Sequence, residues 1–458
     1  MSPGIQPAPA ASPPRGPLLM ALVAFTALAL AALRHVFVWG GGRPVLGVEL
    51  HVWLGIGEGV LLCGFAVLGS TAYLAAVRAA QAGALDERVA LRSGLVLTAV
   101  AFAIPHFLSS DLYDYLLRGR VEAVHGANPY TTAPGAFPAD PLLAMAQWPE
   151  WAMPYGPVQA LVQWAVAALA GESAWLGAYL FKALFAACHV ATALVLRAAC
   201  TGPSRAVALT LWLWNPALLL ESATHGHNEA LMVLFLACAA GGIARSRVAA
   251  GTLAFGLAVL TKHGCAVLGP LLLACAWRQG RLGSFLLGAA GSIALTVPAV
   301  LHWFLAPGGL DWLTRQTANR GTSLQHFAGL ALGADAARPL LLAGYAVLLA
   351  ALARACLRTR DARTLAHEGT TLVLVLLLVA MPLFSPWYHL WWLPLAGAAL
   401  TPRLVGGLLA VAVCVPLSYV VYATTRSFGL DHQLWQWTVG LAVPSALILR
   451  RRAAPDPG

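Results

Sequence analysis

Residues 109–130 read SSDLYDYLLRGRVEAVHGANPY. In a chain that is only 10% charged, this stretch gathers Asp111, Asp114, Arg118, Arg120 and Glu122 directly after an apolar run. As a helix it places Asp111, Asp114, Arg118 and Glu122 at spacings of three and four, hence on one face. Leu112, Leu116 and Val121 form the opposite, apolar face. That pattern predicts a helix lying along a membrane surface, apolar side down, with carboxylates and guanidinium groups turned to a common space. Asn128-Pro129 should end it, because proline disfavours helical geometry in the preceding residue.

The surrounding chain explains why a membrane surface is expected. Its 458 residues are 59% hydrophobic, with a mean hydropathy of +0.74, a composition of integral membrane proteins. A hydrocarbon core about 30 Å thick calls for helices of about 20 apolar residues. The apolar runs predict an all-α polytopic fold of about 13–14 transmembrane helices, with a juxtamembrane helical loop at 109–156. The runs fall near 18–38, 51–77, 91–108, 174–197, 206–221, 229–244, 248–262, 264–277, 282–305, 337–354, 368–385, 388–401, 404–425 and 434–449. The first reads as an uncleaved span. Residues 1–17, rich in Pro and Ala, read as a disordered cytoplasmic tail. Residues 18–450 read as one multi-span domain and 451–458 as a second cytoplasmic tail.

Arginines in short loops set topology. Arg78, Arg88, Arg92, Arg197, Arg205, Arg245, Arg247, Arg278, Arg281, Arg354, Arg358, Arg360, Arg363, Arg403 and Arg450 to Arg452 all fall on one side of this arrangement, which is thereby the cytoplasm. A spanning 158–170 run would break the alternation, so it is expected as a half-depth segment. The net charge of +10 is thus a topology signal and excludes a nucleic-acid reading. The cysteines lie mostly within apolar runs without paired spacing, which argues against a disulfide framework or a metal site. The opposite side receives 109–156, 221–229, Lys262-His263, a second loop at 306–336, and 385–389. Most acids and histidines therefore share one membrane face, as expected of a single cavity.

Asp111 follows the third span, where a carboxylate can take a proton from an attacking hydroxyl; the alternative is a helix cap within Ser-Ser-Asp. Asp114, one turn on, shares the acidic site, joins Asp111 on a divalent cation (magnesium or manganese), or pairs with Arg118. One of Arg118 and Arg120 could contact a phosphate. The ESATHGHNE segment, 221–229, offers His227, Asn228 and Glu229 for hydroxyl binding; its two histidines are weak evidence for zinc, and no metal ligand is assigned. Lys262, one of two lysines, with His263 ends a span against the topology bias, as an anionic partner would explain; snorkelling is the alternative. Trp387, Tyr388 and His389, with Tyr155, supply rings that stack on sugars, or anchor helices. Tyr113 joins this sugar- or acceptor-binding set.

The series SSDLYDYLLRGRVEAVHGANPY, MPYGPVQALVQW, GHNEALMVLFLA, LAVLTKHGCAVLGPLLL and SPWYHLWWLPL, over roughly 90–400, resembles the polyprenol-phosphate-mannose-dependent alpha-(1→6)-mannopyranosyltransferases, multi-span C-type (GT-C) glycosyltransferases. The resemblance implies an inverting transfer of mannose from a polyprenyl-phosphate donor to a glycan or glycolipid acceptor on the non-cytoplasmic face. It puts the catalytic aspartate at Asp111, Asn-Pro-Tyr at Asn128 to Tyr130, Tyr-Gly-Pro at Tyr155 to Pro157, the His-Asn-acidic element at His227 to Glu229, and the lysine at Lys262. His263 and Gly264 stand where the family has an apolar residue and proline. Another hexose or pentose is the alternative donor sugar. A transporter or flippase of lipid-linked glycans is the alternative class; it would need ionisable groups at mid-membrane, where only Glu58 and Lys182 fall.

Overall fold

The structure, a computed structural model, describes residues 15–39, 56–311, 322–427 and 431–450. The expected tails fall outside these residues except at 15–17, which already belong to the first helix. The 306–336 loop is described at its two ends only. Among the described residues there is no strand, and the chain is an all-α polytopic membrane protein.

The helices are α1 (Arg15–Trp39), α2 (Ile56–Gln81), α3 (Glu87–Ala103), α4 (Asp111–Ala123), α5 (Pro157–Ala170), α6 (Ala174–Ala199), α7 (Ser204–Leu213), α8 (Pro216–Leu219), α9 (Glu229–Ala244), α10 (Val248–Thr261), α11 (Gly269–Arg278), α12 (Leu282–Leu305), α13 (Leu324–Leu332), α14 (Ala334–Arg358), α15 (Ala362–Val375), α16 (Leu393–Ala399), α17 (Pro402–Ser427), α18 (His432–Trp437) and α19 (Val443–Arg450). Six described segments are long and apolar enough to cross a bilayer: Arg15–His35, Gly57–Gln81, Ala174–Ala199, Arg338–Arg358, Ala362–Ala380 and Pro402–Thr425. A seventh is the bent pair Ser204–Leu213 and Pro216–Thr224. Shorter apolar helices include α5, α9 and α10; at 14 residues, α5 is about 21 Å long, well under a hydrocarbon core.

The count of long spans is smaller than the apolar runs predict, and the breaks have local causes. The 206–221 run bends by 49° where Asn215-Pro216 interrupts it; the Asn215 side chain accepts from the N–H groups of Ala217 and Leu218 and starts a new helix. The 264–277 run opens with six residues of tighter helix, His263–Leu268, before α11. The 388–401 run becomes the tight turn Pro386–Trp391 and the short α16. Hydropathy counts apolar residues but does not register these changes of axis.

Every residue of 208–233 is buried, so α7, α8 and the start of α9 form the centre around which the other helices pack. α2 packs on α1 and α17, and α9 on α6 and α10. The α4 helix ends at Ala123, before Asn128-Pro129 as expected. Its polar face is not turned outward along a surface, however. Asp114 and Arg118 are buried like Leu112, Leu116 and Val121, held by Trp148 and Trp151, while Asp111 and Glu122 stay partly exposed; α5 crosses α4. A Cβ at position 119 would sit 2.1 Å from the Gln163 carbonyl oxygen, so Gly119 permits this crossing. The two charges expected at mid-membrane have partners: Arg34 meets Glu58 at 3.2 Å, and Lys182 donates to the Ile104 carbonyl at 2.5 Å.

Candidate active site

Asp111 is the first residue of α4. The preceding Ser110 holds the cap position, and the Ser109 hydroxyl accepts from the Asp111 N–H at 3.2 Å, so the Asp111 carboxylate is not used as a cap. It points instead to two groups from different parts of the chain. The Tyr115 hydroxyl, one turn along, donates to Oδ2 at 3.1 Å, and His227 Nδ1 lies 3.2 Å from the same oxygen. Asp111 keeps 20% of its side-chain surface exposed while His227 has none. Burial pushes the carboxyl up, but the hydrogen bond and charge of His227, the charge of Lys262 and the Tyr115 hydroxyl outweigh it and hold Asp111 below its ordinary value. Burial likewise opposes charge on His227, yet Asp111 and Glu221 push it up to about 9.

His227 reaches this position through an irregular segment. After α8 the chain makes a π-helical turn, Leu220–Thr224, closed by the His225 N–H to the Leu220 carbonyl at 2.9 Å. Gly226 then adopts φ +66°, open to glycine at little strain. Trp387 stacks on the His227 ring at 3.9 Å. The Asn228 N–H donates to the Tyr115 oxygen at 3.4 Å, whereas Oδ1 and Nδ2 of Asn228 are buried with no hydrogen-bond partner among the described residues. Glu229 Oε2 is in the same condition. Such groups are rare in folded proteins, and here they are clustered beside a partly open carboxylate.

Lys262 completes the cluster. It follows the last residue of α10 and forms an ion pair with Glu229. Its ammonium also lies over the rings of Tyr388 at 4.9 Å, Tyr155 at 5.4 Å and Trp391 at 5.9 Å. Tyr155 is delivered by a close backbone approach: the Gly156 N–H donates to the Thr261 carbonyl at 3.1 Å, and a Cβ at 156 would meet the Leu260 oxygen at 2.2 Å. Tyr155 then packs edge-on to Tyr115 at 5.5 Å. His263 lies half-buried next to Lys262.

The structure thus brings Asp111, Tyr155, His227, Asn228, Glu229, Lys262, Trp387 and Tyr388 together. Other expected site residues are engaged with partners elsewhere. Asp114 accepts from the Trp148 N–H at 3.1 Å and from the Ser110 hydroxyl at 3.4 Å; burial, only partly offset by Arg118, pushes its carboxyl up to about 6. Arg118 donates to the Trp151 carbonyl at 3.4 Å. Arg120 is committed to Asp140 at 2.9 Å and to the Gly171 carbonyl. Asn128 donates to the Trp303 carbonyl at 2.7 Å. Tyr130 packs on Phe304 at 5.0 Å and donates to the Tyr155 carbonyl at 3.0 Å. Tyr113 packs on His106 at 4.9 Å, and His389 meets the Gly440 carbonyl at 2.6 Å.

Three participants were not singled out from the sequence. Tyr115 stands four residues after Asp111, a helical spacing that could have signalled it. Glu221 and His225 were visible only as part of a polar segment, because the π turn that aligns them has no sequence signature. Among the described residues, Glu221, His225 and His227 are the group that gathers three potential metal-ligating atoms within 4.8 Å of one another.

Comparison with known proteins identifies the family. Residues 15–279 match a model described as the alpha-(1->6)-mannopyranosyltransferase N-terminal domain, and residues 316–451 one described as the MptB C-terminal domain. The chain is 25% identical to alpha-(1->6)-mannopyranosyltransferase A of Mycobacterium tuberculosis, over 88% of this chain and 78% of that protein. It is also 25% identical to alpha-(1->6)-mannopyranosyltransferase B of Corynebacterium glutamicum, over 65% of this chain and 55% of that one. No solved structure matches the chain. With a family match over more than half its length, the chain belongs to the alpha-(1->6)-mannopyranosyltransferase family and is a multi-pass membrane glycosyltransferase.

Proposed function

We propose that the protein transfers mannose from a polyprenyl-phosphate mannose to a glycan or glycolipid acceptor, with inversion at the anomeric carbon and Asp111 as the general base. The acceptor oxygen attacks C1 as its proton passes to the Asp111 carboxylate. The bond from C1 to the phosphate oxygen breaks, and the electron pair leaves with the lipid phosphate. Lys262, whose charge acts on Asp111, stabilises the departing charge with His263 beside it. Glu229 then shares Lys262 with the phosphate. Tyr155, Trp387 and Tyr388 offer ring faces to the sugars, and Asn228 and Glu229 offer hydrogen-bonding groups to their hydroxyls.

The observation that carries this reading is the partly exposed Asp111 carboxylate, oriented by His227 and Tyr115 beside the unpartnered polar atoms of Asn228 and Glu229. The distribution of arginines supports cytoplasmic termini and a reaction on the non-cytoplasmic face. Lipid-linked donors already reside in the bilayer, which suits a site at the outer ends of spans.

The test uses the purified protein in nanodiscs with radiolabelled polyprenyl-phosphate mannose and a short mannoside acceptor. Wild type should form labelled product, with the new linkage of opposite anomeric configuration to the donor by NMR. Asp111→Asn should lose at least about a hundredfold in rate. Undiminished transfer by that variant would remove Asp111 as the base, and transfer from another polyprenyl sugar but not from mannose would change the donor.

A further inference from the structure

The mannosyl-transfer reaction uses His227 through its Nδ1 atom, but does not account for the group behind it. Glu221, His225 and His227 come from one segment, 221–227, and their side chains are at most 2% exposed. Glu221 Oε2 lies 3.4 Å from His225 Nδ1 and 3.3 Å from His227 Nε2. Those separations are long for hydrogen bonds to a carboxylate, which run about 2.7–2.9 Å when the donor is charged. In addition, His227 Nε2 is buried at ion-pair distance from Glu221 without a well-formed hydrogen bond.

The same separations fit a different purpose. Bonds of about 2.0–2.1 Å in a tetrahedral site place neighbouring ligand atoms about 3.3–3.4 Å apart. The two edges from Glu221 Oε2 already have that length, and one ligand atom from each of the three residues lies within 4.8 Å of the other two. The surroundings are those of a built site. The Tyr419 hydroxyl donates to the other Glu221 oxygen at 3.0 Å, fixing the carboxylate. Asp111 sits on Nδ1 of His227, the arrangement that orients a metal-bound imidazole and fixes its tautomer. Trp387 holds the ring plane from one face.

We propose that Glu221 Oε2, His225 Nδ1 and His227 Nε2 bind a single first-row transition ion of the zinc class. Two imidazoles and one carboxylate favour zinc or cobalt over magnesium or calcium, which prefer all-oxygen shells. Three protein ligands leave a fourth position to water. On binding, the ion displaces any proton from Nε2 of His227 to solvent. The Nδ1–H then remains as a donor to Asp111, so the ion positions the carboxylate through His227 without touching it.

Binding is read without any transfer assay. Purified protein in nanodiscs is stripped with chelator and titrated with cobalt(II) and zinc(II), following the cobalt visible spectrum, bound metal by mass spectrometry after desalting, and thermal unfolding. The expected result is about one ion per chain, an intense tetrahedral cobalt spectrum abolished by zinc, and a raised unfolding temperature. His225→Ala, which leaves the His227–Asp111 contact in place, and Glu221→Gln should each weaken binding at least about a hundredfold. His302→Ala, at a histidine half or more exposed, should not change it. Absence of retained metal and of a tetrahedral spectrum in the wild type overturns the proposal, even if both variants fail to fold. Equal retention by folded His225→Ala assigns the metal to another site and also overturns it.

Discussion

Two aspartates of the same loop, Asp111 and Asp140, are both set among polar partners, but in different ways. Asp140 takes Arg120 Nε at 2.9 and 3.2 Å on its two oxygens, His125 Nε2 at 2.7 Å, and the Leu142 N–H at 2.9 Å. Burial pushes it up, and these contacts, Arg120 first among them, hold it below its ordinary value. Asp111 has two side-chain partners, both on one oxygen, and keeps a fifth of its side chain open. A carboxylate with all its acceptor sites filled fastens the chain, whereas one that is oriented but not saturated can still receive a proton. Arg120, spent on Asp140, also differs from Lys262, which pairs with the Glu229 carboxylate while its ammonium lies over the rings of Tyr155, Tyr388 and Trp391.

This comparison is most directly broken at its two ends. Asp111→Asn preserves shape and removes the proton acceptor; transfer should fall by about 10²–10⁴-fold, with a smaller drop in unfolding temperature than Arg120→Ala causes. Arg120→Ala should do the reverse. It leaves Asp140 buried without its main partner, a loss of about 3–5 kcal/mol, measurable as a large drop in thermal stability in nanodiscs. Arg120→Lys should recover only part of this, since an ammonium cannot reach both carboxylate oxygens and the Gly171 carbonyl in the planar geometry of a guanidinium. If Arg120→Ala abolished transfer while leaving stability intact, the division between fastening and reacting groups would fail.

How far this division could be read in advance depends on the kind of signal each residue leaves. Asp111 and Lys262 are conspicuous because charge is scarce in an apolar chain and a lysine on this side opposes the topology bias. The α4 helix and its end before Asn128-Pro129 follow from periodicity and proline chemistry. The fate of its polar face does not, because Asp114 and Arg118 are held by Trp148 and Trp151, 34 and 33 residues further along the chain. Arg118 and Arg120 carry the same sequence signal as Lys262, and only three-dimensional packing assigns Arg120 to Asp140. Glu221 and His225 depend on a π turn, and the kinks at Asn215-Pro216 and Pro386 reshape apolar runs that hydropathy reads as straight spans.

Asp114 sharpens the comparison through pH. Its carboxyl, pushed up to about 6 by burial, lies above the ordinary value of about 3.9 in an unfolded chain. The folded state therefore holds the Asp114 proton more tightly than the unfolded state. This contribution to stability is complete below about pH 4 and is lost as pH rises through 6. The difference is on the order of 2–3 kcal/mol. Asp114→Asn, which cannot ionise, should gain stability relative to the wild type as pH rises from about 4 to about 6.5 and hold that gain above it. Thermal unfolding of both proteins across that range checks the sign; a gap that stays constant would show that Asp114 remains ionised in its buried position.

Tyr115 tests the finest part of the contrast, whether orientation of Asp111 matters apart from its charge. Its hydroxyl donates to Asp111 and accepts from the Asn228 N–H, while its ring packs edge-on against Tyr155, Phe181 and Phe185. Tyr115→Phe removes the first pair of contacts and keeps the second. A hydrogen bond to a charged group contributes about 1.5–3 kcal/mol when intact, but His227 still holds the same carboxylate oxygen, so the low end applies. The turnover rate should fall about tenfold, with about 1.5 kcal/mol of stability lost. If the hydroxyl orients the base in the reacting complex, the loss appears in kcat while KM for the donor stays level. A drop in unfolding temperature with unchanged kcat would mean that Tyr115 only braces Asn228, and that His227 alone suffices to aim the Asp111 carboxylate.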